Sequence, residues 1–336
     1  MATPSRNWST QTGSSMVSIG SHRLFVSVSG PPRTTEPLVI ILAGAGDVAS
    51  SYTALSPLVV RFSRMLLYDR TGLGRSEPGP QRSTAVQAAK DLRRLLEVMV
   101  LGPPLLLVAH SYGAIVAREY FHLYAGDVVG MVLAEGSTER QCDYFRLPDP
   151  NIDAVLGNLK VAQVTGLRAD SKLSRDEWRE RAIDIARGAV AAQAEADSLV
   201  EVCRSLGEKK QFQQRAMGDR PVSVIRCNGT RDFERIYQHG VAAGNGSVQQ
   251  QQEFRRLLDQ MEAIDQDLKE EQLQLSSRVR LVHLPDCGHN VHLVRPDVVA
   301  GEIQWVWEQL QSARVSTRRQ IRRTVAGGAG GSRPTY

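Results

Sequence analysis

The sequence predicts an α/β fold, a doubly wound and mostly parallel sheet with helices on both faces, from two patterns and a length. Apolar runs that are continuous rather than alternating mark strands buried on both sides. Helical patterns separate these runs in regular succession. At 336 residues the chain is long enough for one large core and an accessory element.

In chain order, residues 1–15 (MATPSRNWSTQTGSS) are a polar leader expected to be disordered. MVSIGSHRLFVSVSG (16–30) alternates and breaks at Gly20-Ser21, which predicts two short strands forming an antiparallel edge. PLVIILAGAG (37–46), RMLLYDRTG (64–72), PPLLLVAHS (103–111) and VVGMVLAEG (128–136) are the continuous apolar runs of a covered parallel sheet. Between them, residues 85–101 set Leu92, Leu95 and Leu96 on one helical side, and GAIVAREYFHLYA forms a second helix after Ser111.

From Ser137 to Arg220 the alternation stops and the chain turns charged and helical, with Ser174 and Glu177 spaced as a capping box. A stretch of that length is too long for a connection and predicts a helical lid over 137–220. Strands return at RPVSVIRC (220–227) and RVRLVHLP (278–285), separated by a helical insert over 247–276. A closing helix begins at Pro296, in the favoured first-turn position. The core thus divides into 16–136 and 221–312, and 313–336 is expected to be a basic disordered tail.

That tail accounts for the basic character of the chain. Its six arginines and no acids carry +6 of a net +5, leaving the rest at −1. A neutral body gives no reason to expect a nucleic-acid partner. Four widely spaced cysteines form no C-x-x-C pair and no metal-ligand spacing, so neither metal nor cofactor is expected and a reduced compartment fits. No run reaches the roughly 18 apolar residues of a membrane span, and the leader lacks a secretory apolar stretch. A cytoplasmic location is the expectation.

Chemistry concentrates at Ala109-His110-Ser111-Tyr112-Gly113, where a buried strand turns directly into a helix. A side chain presented on so sharp a turn needs small residues two places before and after it, and Ala109 and Gly113 supply them. The hydroxyl then sits at a helix N-terminus, where N–H groups favour developing negative charge. Ser111 is the candidate nucleophile.

With its surroundings, this turn resembles the nucleophile elbow of the α/β-hydrolase superfamily. YDRTGLGRSEPGP (68–80) resembles that family's loop after the fourth strand, VVGMVLAEGS its sixth strand, and CGHNVHLVRPDVV (287–299) its histidine loop. The elbow opens with Ala109 where the family usually has Gly. The resemblance implies an α/β-hydrolase fold and selects His289, after Gly288, as the base, with His292 as a neighbour; His110 is read as structural. It offers two positions for the acid. Glu135 ends the strand after the elbow, while Asp232 closes a Gly-x-x-Asp after the next strand; Glu135 is preferred because Arg226 and two extra residues displace Asp232. Backbone N–H groups of Tyr112 and Ala45 would form the oxyanion hole, and Asp69-Arg70 with its glycines would be scaffold.

The resemblance implies a serine hydrolase that cleaves an ester, lactone or thioester of a small apolar molecule through an acyl-enzyme. The RDF…GVAAGNG region is similar to stand-alone fungal hydrolases of polyketide biosynthesis, which suggests a tailoring step in secondary metabolism. The competing class is a non-hydrolytic member, a small-molecule receptor or a cyclisation scaffold.

Overall fold

A computed structural model describes residues 6–146 and 148–328. Among these, eight strands make one sheet: β1 (Gly13–Ser18), β2 (Arg23–Ser29), β3 (Leu38–Leu42), β4 (Met65–Tyr68), β5 (Leu105–His110), β6 (Val128–Ala134), β7 (Val222–Cys227) and β8 (Val279–Leu284). Their spatial order is β1-β2-β4-β3-β5-β6-β7-β8. The pairs β1–β2 and β2–β4 are antiparallel and the others parallel. This is the doubly wound α/β sheet the sequence predicts.

The helices of seven residues or more are α1 (Ala85–Met99), α2 (Gly113–Leu123), α3 (Pro150–Leu156), α4 (Arg175–Arg187), α5 (Ala189–Gly207), α6 (Gly229–Ala242), α7 (Val248–Glu271) and α8 (Pro296–Gly328). Successive residues of a strand point to opposite faces, so a strand covered on both sides is apolar throughout. In β3, Leu38, Ile40 and Leu42 join the cluster beneath α1 and α2, while Val39 and Ile41 join the one beneath α8. Edge strand β8 differs, with Val279 and Leu281 each 37% exposed.

Segment 137–220 holds α3 to α5 and shorter turns, and α4 starts with the Ser174–Glu177 capping box. Its attachment to the core is partly apolar, through Val202, Cys203 and Leu206 of α5. It is also strongly polar: Asp184 accepts from the Ser50 hydroxyl at 2.9 Å, and Arg181 donates to Ser51 at 2.9 Å. Between β7 and β8 the expected insert contains α7, but α6 precedes it. Val155 of α3, Ile236 of α6 and Phe254, Leu258 and Met261 of α7 close into a third apolar cluster. Arg226, awkward in a buried strand, is matched by α7: it donates to Asp265 at 3.2 Å and pairs with Glu262.

Two boundaries need correction. The leader drawn over 1–15 contributes the start of β1, and Trp8 is buried in the core. Arg64 ties it down by donating to the Trp8 carbonyl at 2.6 Å, and also reaches the Gln11 carbonyl. The tail boundary at 312 falls inside α8, whose backbone continues to Gly328; no proline or glycine interrupts the chain between Glu302 and Ala326. Residues 1–5 and 329–336 of the leader and tail lie outside the described residues. Among the described residues, no helix is long and apolar enough to cross a membrane.

Candidate active site

Ser111 follows the last residue of β5 with φ +51°, a left-handed conformation uncommon for a residue with a side chain. Surrounding backbone bonds over-determine it. Its carbonyl accepts the Ser137 N–H at 3.0 Å and the Ala114 N–H at 2.9 Å. The requirement for a small residue at 113 has a definite cause, since a Cβ there would lie 2.0 Å from the Leu42 carbonyl oxygen. Close passage of α2 beneath the loop after β3 therefore demands glycine.

His289 stands in the loop after β8, and its Nδ1 lies 3.2 Å from Oε2 of Glu135. Glu135 follows β6 at φ +52° and is buried, while the His289 side chain is 42% exposed. Burial works against the Glu135 charge, but Lys269 of α7, His289 and the Cys227 N–H outweigh it and hold the carboxyl well below the usual carboxylate range. The Cys227 N–H donates to Oε1 at 2.6 Å. Lys269 in turn donates to Asp265 at 2.9 Å.

The other acid candidate meets a different group. Asp232 lies in the first turn of α6, and Oδ2 accepts the backbone N–H of His289 at 3.0 Å. Gly288 makes room for this, because a Cβ there would fall 2.2 Å from Asp232 Oδ2. Glu135 thus faces the ring while Asp232 braces the loop.

Ser111, Glu135, His289, Ala45 and Tyr112 all line one cavity of about 310 Å³. No hydrogen bond joins the Ser111 hydroxyl to His289 among the described residues; such contacts are often loose without substrate. The walls are mainly apolar, from Phe145, Ile152 and Leu199 of segment 137–220, Phe233 of α6, and Leu257 and Met261 of α7.

Behind the site, His110 Nε2 is 2.9 Å from the His289 carbonyl, and its ring lies 4.3 Å from that of His292. His292 stacks on Tyr52 at 4.4 Å, with Nε2 3.4 Å from Asp47. Asp47, His110 and His292 could each offer a metal one atom, all within 4.8 Å of one another. Arg181 and the Ser51 hydroxyl already meet the Asp47 carboxylate, so its charge is matched within the protein. The group braces the oxyanion-side loop against the histidine loop. Sequence reasoning missed Lys269, Asp265 and Glu195, all on helices where acids and lysines look like any solvated face.

The fold is that of an alpha/beta hydrolase. The alpha/beta hydrolase family model matches residues 39–302, and the chain belongs to that family. It is 31% identical over 308 residues to "Probable transporter efuK" of Hormonema carpetanum, spanning 89% of this chain but only 43% of that protein. It is 30% identical to an AB hydrolase superfamily protein of Gibberella zeae, over 84% of this chain and 90% of that one. The crystal structure of Cfl2 from Burkholderia cenocepacia shares the fold, with TM-score 0.60 at 17% identity over 88% of this chain and 95% of that one. An enzyme of hydrolase type is what the family membership supports.

Proposed function

We propose that this protein is a serine hydrolase that cleaves an ester, lactone or thioester of a small apolar molecule. The observation that carries the reading is the left-handed turn at Ser111 opening on the same apolar cavity as the Glu135–His289 pair. In this mechanism the Ser111 oxygen attacks the acyl carbon as His289 takes its proton. Glu135 keeps the remaining proton on Nδ1 and stabilises the imidazolium. The Ala45 and Tyr112 N–H groups hold the oxyanion.

Collapse of the tetrahedral intermediate returns the proton from His289 to the departing oxygen or sulfur and leaves acyl-Ser111. Water, deprotonated by His289, releases the acid and restores the serine. The mainly apolar walls suit an apolar acyl group. The likeness of the RDF…GVAAGNG region to stand-alone fungal hydrolases of polyketide biosynthesis is what supports a tailoring role in secondary metabolism.

Labelling with a fluorophosphonate followed by peptide mapping tests the nucleophile. The adduct is expected on Ser111 and absent in Ser111→Ala; folded protein left unlabelled at that position would reject the reading.

A further inference from the structure

The loop bearing Ala45 is gripped by a buried ion pair that the acyl-transfer steps do not use, although its Glu195 also lines the Ser111 cavity. Arg70, just beyond β4, donates Nη1 to the Ala43 carbonyl and Nη2 to the Gly44 carbonyl, each at 2.6 Å. The same guanidinium holds Glu195 of α5 through Nε at 2.6 Å and Nη2 at 2.8 Å. Glu195 also accepts the Gly46 N–H at 2.9 Å. The Arg70 and Glu195 side chains are 5% and 6% exposed, so little water competes for these bonds.

The direction of these bonds matters more than their number. The Gly44 carbonyl and the Ala45 N–H belong to one trans peptide, where they point in opposite directions. Drawing the carbonyl onto Arg70 therefore turns the Ala45 N–H away from Arg70. Ala45 lines the Ser111 cavity, and an N–H turned away from Arg70 is the one this loop can offer to it. Flipping the peptide would break the Arg70 bond and the one from the Asp47 N–H to the same Gly44 oxygen, 3.1 Å long.

We propose that Glu195 and Arg70 are positioning residues for the oxyanion donor: Glu195, delivered by α5, orients Arg70, and Arg70 fixes the Ala45 N–H. This rests on the Ser111 reading above. Segment 137–220 would then act on the chemical step as well as on substrate binding. A pair that merely fastened α5 to the core would affect stability or substrate affinity and leave turnover alone.

The test compares Glu195→Gln, which keeps size and an acceptor, with Arg70→Lys, which keeps the charge but cannot span two carbonyls. The second variant also covers the case in which the first does not fold. The readouts are kcat and KM on p-nitrophenyl butyrate and the Ki of a propyl trifluoromethyl ketone. In the ketone adduct the Ser111 oxygen bonds to the carbonyl carbon as its proton passes to His289, and the former carbonyl oxygen becomes an oxyanion in the hole.

Outright loss of a donor typically costs about 10²–10³ in kcat, so misaiming one should cost about tenfold or more. The expected result is that fall in kcat with KM within about threefold, and a Ki that rises by the same factor. Unchanged kcat in a folded variant, or a rise in KM alone, would overturn the positioning role. Failure of the underlying reading looks different: the wild-type protein would neither turn over the ester nor be labelled at Ser111.

Discussion

The two sides of Ser111 are held by different means. On the histidine side, the core of the arrangement comes from adjacent strand ends, with Asp232 of α6 and Lys269 of α7 added to it: Glu135 leaves β6, accepts the Cys227 N–H at the end of β7 and meets His289 just past β8. On the oxyanion side, the loop after β3 is held by Arg70 and, through it, by Glu195, which is 125 residues away in the chain. The first arrangement follows directly from sheet topology. The second exists only when a separate helical segment docks. Chemistry on the histidine side should therefore be sensitive to single atoms of the core, and that on the oxyanion side to the state of α5.

The sharpest test of this contrast is at the acid. Glu135→Gln keeps the size and the Cys227 bond but turns an amide toward Nδ1, which favours the wrong imidazole tautomer. A fall in kcat of about 10³ to 10⁴ is expected, by analogy with acid-to-amide changes in serine triads. Asp232→Asn, which alters only a brace on the His289 backbone, should cost about tenfold or less. Steady-state kinetics on one ester decides it, and the reverse ranking would move the acid to Asp232.

A smaller effect should appear in stability against pH. Folding lowers the Glu135 pKa from its ordinary value of 4.5. Its ionised form then stabilises the fold above about pH 4.5, and that contribution is lost as pH falls toward the depressed folded value. The difference in melting temperature between wild type and Glu135→Gln should accordingly narrow between pH 5 and about pH 3. A difference constant over that window would mean that Lys269 and His289 do not hold the carboxyl down.

The same contrast explains what could be read in the sequence. Ser111 and Glu135 follow strands whose continuous apolar runs locate their ends well, as Leu105–His110 does, whereas His289, after the exposed edge strand β8, is legible through the resemblance of its loop. Arg226 also left a trace, since a guanidinium inside an apolar strand requires a partner, and Asp265 and Glu262 prove to be it. Glu195 left none. It lies in AVAAQAEADSL, where a glutamate reads as ordinary helix surface, and only docking of α5 makes it buried. Cys142 and Cys203 are similar: spacing suggests no pair, yet their sulfurs lie 3.4 Å apart. Side-chain partners brought together by helix docking have no periodicity to betray them.

The mildest perturbation addresses the helical segment itself. Ser174 caps α4 by accepting the Glu177 N–H at 3.2 Å, while the Glu177 carboxylate accepts the Ser174 N–H at 2.7 Å. Ser174→Ala should cost about 1 kcal/mol, the usual loss for such a cap. Because α4 attaches partly through polar contacts to Ser50 and Ser51, that loss should appear as local opening rather than global unfolding. Hydrogen exchange should quicken in the first turns of α4, and amides of β5 and β6 should stay as protected as before. Faster exchange throughout the sheet would instead mean that segment 137–220 and the core unfold as one unit, and that the two sides of Ser111 are not separately held.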